Sequence, residues 1–324
     1  MNYIGSKYSI LSYIDEVIED FTVAKDNTIF CDIFAGTGVV SKYFKEKGYN
    51  IIANDIEYFS YVTLKALIEV NDELKFETLS RKNIDPFVCL NGLNGKKGFI
   101  YKNYSLGGTK RKEYKRQYFS DENAKKIDAC RIKIEKWRKR NKITESEYFY
   151  LLACLIEASD KVANTASVYE AFLKNLKKSA EKKIIIKPLE LTFKNVECEI
   201  YNEDSKNLIR KIKGDILYLD PPYNTRKYDT NYHILETIAL YDNPKIKGKT
   251  GLRIDDSKKS NYCIKNSASK ELEDLIKNAQ FKYILLSYND EGIIPMDEIE
   301  KIMKKYGTYK RYEKRHKRFK SDNN

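Results

Sequence analysis

Apolar residues fall in short runs, and the spacing of those runs divides the chain into three stretches. In the first, Thr28-Ile29-Phe30-Cys31-Asp32-Ile33-Phe34-Ala35-Gly36-Thr37-Gly38-Val39-Val40 predicts a buried strand, a tight glycine turn and a helix continuing through Lys45. After Gly48, Ile51-Ile52-Ala53-Asn54-Asp55 predicts a second short strand ending in an acid. From Tyr58 to about Lys187 the spacing becomes helical. Ile127, Cys130, Ile134 and Trp137 share one face of a helix over 123–140, and Phe149, Leu152, Leu155 and Ile156 one face of a helix over 145–161. Before them, Gly98 to Lys112, with its Gly107-Gly108 pair, reads as a hairpin or a loop. Short apolar runs resume after Val196, with a third strand at 199–205 ending in acids, a fourth from Ile216 to Asp220, and another from Phe281 to Tyr288. The pattern predicts an α/β fold, a Rossmann-like sheet domain from residues 1–57 and 190–324, interrupted by a mainly helical insert over 58–189.

Strand, glycine loop, helix, strand and acid in succession make a nucleotide-binding half-unit, in which the bare backbone of Gly36 and Gly38 lets a ligand come close. Asp55 would accept from ribose hydroxyls. The dinucleotide fingerprint wants a third glycine where this chain has Ser41, which disfavours a nicotinamide or flavin dinucleotide. Phe34-Ala35-Gly36-Thr37-Gly38 suits S-adenosylmethionine instead, a ligand with no pyrophosphate to seat. A purely structural glycine turn is the alternative.

Chemistry is concentrated in Asp220-Pro221-Pro222-Tyr223, directly after the apolar run Ile216 to Leu219. A strand ending in a carboxylate offers an anionic acceptor at the sheet edge. Pro221 has no N–H, so its carbonyl can turn outward as a second acceptor, and Pro222 stiffens the turn so that the two stay at fixed separation. The two acceptors suit the hydrogens of an exocyclic amine, and the ring of Tyr223 suits the attached heterocycle. The alternative is a strand that stops at Pro-Pro with Tyr223 packed on the core.

With 60 Lys and Arg against 47 Asp and Glu, the formal charge of +13 points to a polyanionic partner. Lys110, Arg111, Lys115 and Arg116, interleaved with Tyr114, Tyr118 and Phe119, fit phosphate contact and base stacking, or else a solvated loop. Arg226 and Lys227 open a polar, aromatic segment over 224–265 that reads as a lid or wall around a target; His233 within it reads as a hydrogen-bonded structural residue. Arg311 and Arg315 lie in a C-terminal alternation of tyrosines and bases, a hairpin or a tail that favours DNA in either form. Six scattered cysteines without a C-x-x-C pair, and only two histidines, argue against zinc and for reduced thiols. No run approaches the ~20 apolar residues of a membrane span, and the N-terminus lacks a secretory layout, so the expected location is the cytoplasm.

Together these residues resemble the Dam-like DNA adenine-N6 methyltransferases, in the alpha arrangement where the cofactor loop precedes a target-recognition insert and the catalytic loop follows. The resemblance covers nearly the whole chain. Asn2-Tyr3-Ile4-Gly5-Ser6-Lys7 is similar to the family's opening motif, which implies that Tyr3 and Lys7 line the cofactor and target pocket. Phe34 to Gly38 resembles the cofactor loop, Asp55 the ribose-binding acid, Asp204 the acid near the cofactor's adenine, and Asp220 to Tyr223 the catalytic tetrapeptide. Asn224-Thr225-Arg226 through Thr237 and Ser287-Tyr288-Asn289 resemble restriction-modification methylases that protect short sites such as CATG. The implied activity is methyl transfer from S-adenosylmethionine to a flipped adenine in double-stranded DNA, without a metal, with an endonuclease for the same site as an implied partner. The rivals are methylation of an RNA adenine or a protein glutamine, and a DNA-binding relative that has lost catalysis. Glutamine methylases typically have Asn where this chain has Asp220.

Overall fold

The central strand, β1 (Ile29–Asp32), hydrogen-bonds in parallel to β2 (Asn50–Asn54) on one side and β4 (Lys213–Leu219) on the other. β3 (Cys198–Tyr201) extends the sheet beyond β2. A small antiparallel hairpin, β5 (Ile246–Lys247) with β6 (Leu252–Arg253), stands apart, and β7 (Gln280–Leu286) closes the sheet beyond β4. This computed structural model describes residues 7–22, 27–222, 228–254 and 261–315. The sheet order β3-β2-β1-β4-β7 makes the chain step away from β1 in one direction and later return to its other side. A crevice therefore opens at the carboxyl ends of β1 and β4, where ligands bind in open α/β sheets.

Both faces of β1 and β4 are covered, which is why they read as continuous apolar runs rather than an alternation. Phe30, Ile51, Ile216 and Tyr218 face helices Leu11–Phe21 and Val39–Glu46. Cys31, Ile52, Leu217 and Leu219 face helices Ala268–Asn278 and Met296–Tyr306. The expected third strand is shorter than its sequence run, because at Tyr201 the chain turns away and Asp204 caps a short helix instead.

The helical unit is built on Asp121–Lys139 and Glu145–Lys161, the latter opened by a reciprocal capping box between Thr144 and Glu147. Helix Tyr58–Leu64, running into a π-helical turn at Lys65–Glu69, joins them. So does helix His233–Leu240, whose Ile234, Leu235 and Ile238 are fully buried in the same core as Phe59, Ile127 and Leu152. The helical unit thus draws on two segments of chain, the expected insert and the stretch after the proposed catalytic loop.

Gly98 to Lys112 is neither a hairpin nor a loop but two short helices, Phe99–Tyr104 and Leu106–Thr109. The second is capped locally, the Ser105 hydroxyl accepting from the Gly108 amide at 3.2 Å, but the first is capped from afar. The Asp128 carboxylate accepts from the amides of Gly98, Ile100 and Tyr101 and from the Tyr241 hydroxyl, at 2.6–3.0 Å. At Gly108 a Cβ would stand 1.8 Å from the Tyr101 carbonyl oxygen, so no side chain fits between the two helices. Residues 307–315 form no hairpin; Lys310 and Tyr312 bond Asp20 and Lys314 stacks over Tyr13, holding the segment against the first helix.

Candidate active site

Four loops meet at the carboxyl end of the sheet. After β1 the chain turns at Gly36 (φ +53°) and Gly38 (φ +77°), left-handed conformations that favour glycine. A Cβ on Gly38 would also lie 2.7 Å from Leu64 Cδ2, so the helical unit packs directly on this turn. The Gly36 amide donates to Asp55 Oδ2 at 2.8 Å and the Glu57 amide to Oδ1 at 2.8 Å, fixing the carboxylate beside the glycine turn. Asn54 ties three loops at once. Its amide nitrogen donates to the carbonyls of Ile33 (3.0 Å) and Glu203 (3.1 Å), and its oxygen accepts from the Glu203 amide (2.9 Å).

Asp32, at the end of β1, is 1% exposed. Ser41 Oγ donates to its Oδ2 at 2.9 Å, while Oδ1 has no hydrogen-bond partner. Burial, followed by the charges of Asp220 and Asp55, pushes this carboxyl up to about 7 despite the Ser41 bond. The pattern did not single out Asp32 or Asn54 for a role; the signal available was an acid two residues before Phe34 and an amide just before Asp55. Ser41, which departs from the dinucleotide fingerprint, is the residue that orients Asp32.

At the end of β4, Asp220 lies with Oδ1 2.9 Å from Lys7 Nζ. Burial raises its carboxyl above the ordinary value and the Lys7 charge opposes the rise. The Ser287 amide donates to the Leu219 carbonyl at 2.8 Å, so the end of β7 braces the strand just before the tetrapeptide. Pro221 is buried and Pro222 half-buried.

The predicted residues divide accordingly. Gly36, Gly38, Asp55, Lys7 and Asp220 come together at the crevice, with Asp32 electrostatically coupled to both Asp55 and Asp220. Phe34 and Thr37 lie half-buried in the same turn, Phe34 edge-on to Tyr262 with ring centres 5.3 Å apart. Asp204 caps its helix through the Lys206 amide at 2.8 Å. Tyr3, Tyr223, Arg226 and Lys227 lie outside the described residues. Lys110, Arg111 and Lys115 are exposed, as are Arg311 and Arg315, Arg311 pairing with Glu313 at 2.6 Å.

Arg116 corrects the expectation of a phosphate contact. It is 5% exposed, and its guanidinium donates to the carbonyls of Lys249 (3.1 Å), Gly248 (2.9 Å) and Asn103 (3.4 Å). Tyr118 and Phe119 are fully buried in the helical core, out of reach of a stacking base. His233 is buried too, with Nε2 3.0 Å from the Tyr169 carbonyl oxygen, and burial pushes its pKa down to about 4.

With this geometry in place, comparison with known proteins is decisive at family level. The family model for the D12 class N6 adenine-specific DNA methyltransferases matches residues 3–302. The chain belongs to this family. It is 45% identical over 324 residues to the type II methyltransferase M.NlaIII of Neisseria lactamica, covering 99% of this chain and 93% of that protein. It is 34% identical over 326 residues to the type II methyltransferase M.CviAII of Paramecium bursaria Chlorella virus 1, covering 99% and 93%. Similarity to the type II methyltransferase M.FokI of Planomicrobium okeanokoites is 42% over 330 residues, 99% of this chain but only 50% of that protein. No solved structure matches. The expected family, Rossmann-like sheet and adenine-specific DNA methyltransferase activity are borne out. Among the described residues no helix is long and apolar enough to cross a membrane.

Proposed function

We propose that this D12 methyltransferase uses S-adenosylmethionine to methylate N6 of an adenine turned out of duplex DNA, in the cytoplasm, as the protective partner of a restriction endonuclease. The observation that carries the reading is the meeting of three carboxylates, Asp32, Asp55 and Asp220, at the ends of β1, β2 and β4 around a left-handed glycine turn. Such a cluster disfavours its own ionisation. A ligand of net positive charge relieves it, and the unpartnered Asp32 Oδ1 is an acceptor with no donor of its own. The bare Gly36-Thr37-Gly38 backbone admits a nucleoside beside Asp55, which the Gly36 and Glu57 amides hold in place. These residues fit S-adenosylmethionine, which when bound supplies an electrophilic methyl group on a sulfonium.

The remaining work belongs to this chain. Asp220 and the Pro221 carbonyl accept from the target amine and aim its lone pair, the amine replacing the Lys7 ammonium as donor to Asp220. As N6 gains positive charge, the Asp220 carboxylate, half-buried at the strand end, stabilises it. Tyr223 supplies the ring face that holds the flipped base. The helical unit, 58–189 with 228–254, recognises the target. The test is incorporation of labelled methyl from the cofactor into duplex DNA, RNA and release factor in parallel, with mapping of methylated adenines in DNA from expressing cells. Label confined to N6 of adenine at one duplex sequence supports the reading, and label in RNA or protein alone overturns it.

A further inference from the structure

Arg116 is a buried cation spent on holding another segment in place. Its guanidinium bonds the carbonyls of Gly248 and Lys249, in the turn of the β5–β6 hairpin, and the Tyr104 hydroxyl donates to the Gly251 carbonyl at 2.9 Å. A Cβ on Gly251, whose φ is +71°, would stand 2.8 Å from Arg116 Nε, so the turn is pressed against the guanidinium. On the strand side, Arg253 reaches Asp242 at 2.7–2.8 Å and Thr237 at 3.4 Å. Ile246 pairs with Arg253 and Lys247 with Leu252. Residues directly opposed in a sheet point the same way, so Ile246 and Arg253 face inward and Lys247 faces outward, with Lys245 two residues before it.

Lys245, Lys247 and Lys249 are all exposed, and no acid occurs from Asn243 to Ile254. The surface they present adjoins the exposed bases Lys110, Arg111 and Lys115, because Arg116 joins the two segments. Tyr104 also ties it to helix His233–Leu240. The rings of Tyr104 and Tyr118 pack 6.0 and 5.9 Å from His233, and the Tyr169 amide donates to the Asn231 carbonyl at 2.8 Å, just beyond the loop that follows Asp220. A hairpin of two-residue strands is too short to hold itself in water. Its anchoring by buried groups holds the lysines at a fixed place on the helical unit.

Building on the proposed function, we infer that the β5–β6 hairpin is a DNA-backbone clamp, in which Lys245, Lys247 and Lys249 take phosphates of the duplex on the flank of the target base. Phosphate contacts position a duplex without reading it, so the clamp supplies affinity and register rather than site choice. The test is a titration of duplex DNA by fluorescence anisotropy between 50 and 200 mM salt, for the wild type and for the triple variant Lys245→Gln, Lys247→Gln, Lys249→Gln. Each lost phosphate contact makes the slope of log K against log salt shallower by about 0.9, so the triple variant falls short of the wild-type slope by about 2.7. Over that fourfold salt range the wild type then loses about 40-fold more affinity than the variant. Cofactor affinity and kcat at saturating DNA stay unchanged, and the corresponding triple Arg variant keeps the wild-type slope. Equal slopes for wild type and Gln variant overturn the clamp and leave the enzyme's function standing. Failure of the wild type to bind duplex at low salt overturns the functional reading itself. Should the triple variant melt early, the three single Gln variants decide, each expected to lose about 0.9 of slope.

Discussion

Asp32 is where a single side chain couples folding, pH and ligand. Its carboxyl is held near 7, well above the 3.8 of a free aspartate, so the folded chain keeps a proton that the unfolded chain has shed. The folded state therefore loses stability as pH rises from about 4 to about 7, and above that the full cost of a buried charge remains. A positively charged cofactor recovers that cost. By calorimetry, the affinity for a non-reactive cofactor analogue should climb between pH 6 and 8, and Asp32→Asn should flatten the climb; an equally steep rise in the variant removes Asp32 from the site. Asp220 differs, because under the proposed function its partner is the target amine. Asp220→Ala should all but abolish methyl transfer while cofactor affinity stays within several-fold, and retained turnover would assign the chemistry elsewhere. Gly38→Ala combines a left-handed φ with a 2.7 Å approach to Leu64. It should cost about 1–3 kcal/mol of stability, read from denaturant unfolding, and weaken cofactor binding as the turn deforms.

Secondary-structure elements act here through their ends. Glu236, buried within helix His233–Leu240, accepts from the amides of Tyr58 (3.1 Å) and Phe59 (2.9 Å) and so caps the helix that begins three residues after Asp55. It links the segment following the Asp220 tetrapeptide to the one following Asp55. Glu236→Ala strands the buried Phe59 amide and the half-buried Tyr58 amide, at about 1–3 kcal/mol, and should raise the KM for cofactor more than it lowers kcat. A purely structural loss would lower the amount of active enzyme and leave KM alone. Elements of this kind also mark the limit of what a sequence displays. β1, β2, β4 and the helix at 145–161 were legible because burial on both faces of a strand, or nearly all round a helix, writes itself as apolar runs. The helix Phe99–Tyr104 was not, since Asp128 caps it from 27 or more residues away. Arg116 misled for a related reason. An arginine in a basic run has the same letters whether it faces phosphate or is buried against three carbonyls. Of the site, the glycine turn, Asp55 and Asp220 were visible as motifs, whereas the roles of Asp32 and Asn54 emerge only when the strand ends meet.

At the scale of the molecule, the sheet and the helical unit are not independent. Leu64 and Ile68 of the helical unit's first helix pack on the glycine turn, and Lys45 of the sheet domain buries its ammonium against the carbonyls of Ile68 (2.7 Å) and Val70 (2.8 Å). Burial lowers the pKa of that lysine, so the pair of carbonyls holds a charge that is costly to keep dry. Nor does the helical core close within 58–189, because helix His233–Leu240 fills it from beyond β4. An autonomous insert could be cut out at 58–189 and replaced by a short linker, leaving a folded sheet domain. Here that excision would expose Ile234, Leu235 and Ile238, all fully buried, and leave Lys45 without its acceptors. The excised chain should therefore aggregate or lack near-ultraviolet circular dichroism, and the intact protein should unfold in one transition by both fluorescence and far-ultraviolet signals. Two separated transitions, or a soluble excised chain that still binds cofactor, would mean that the contact across the glycine turn is too weak to couple the helical unit to the sheet.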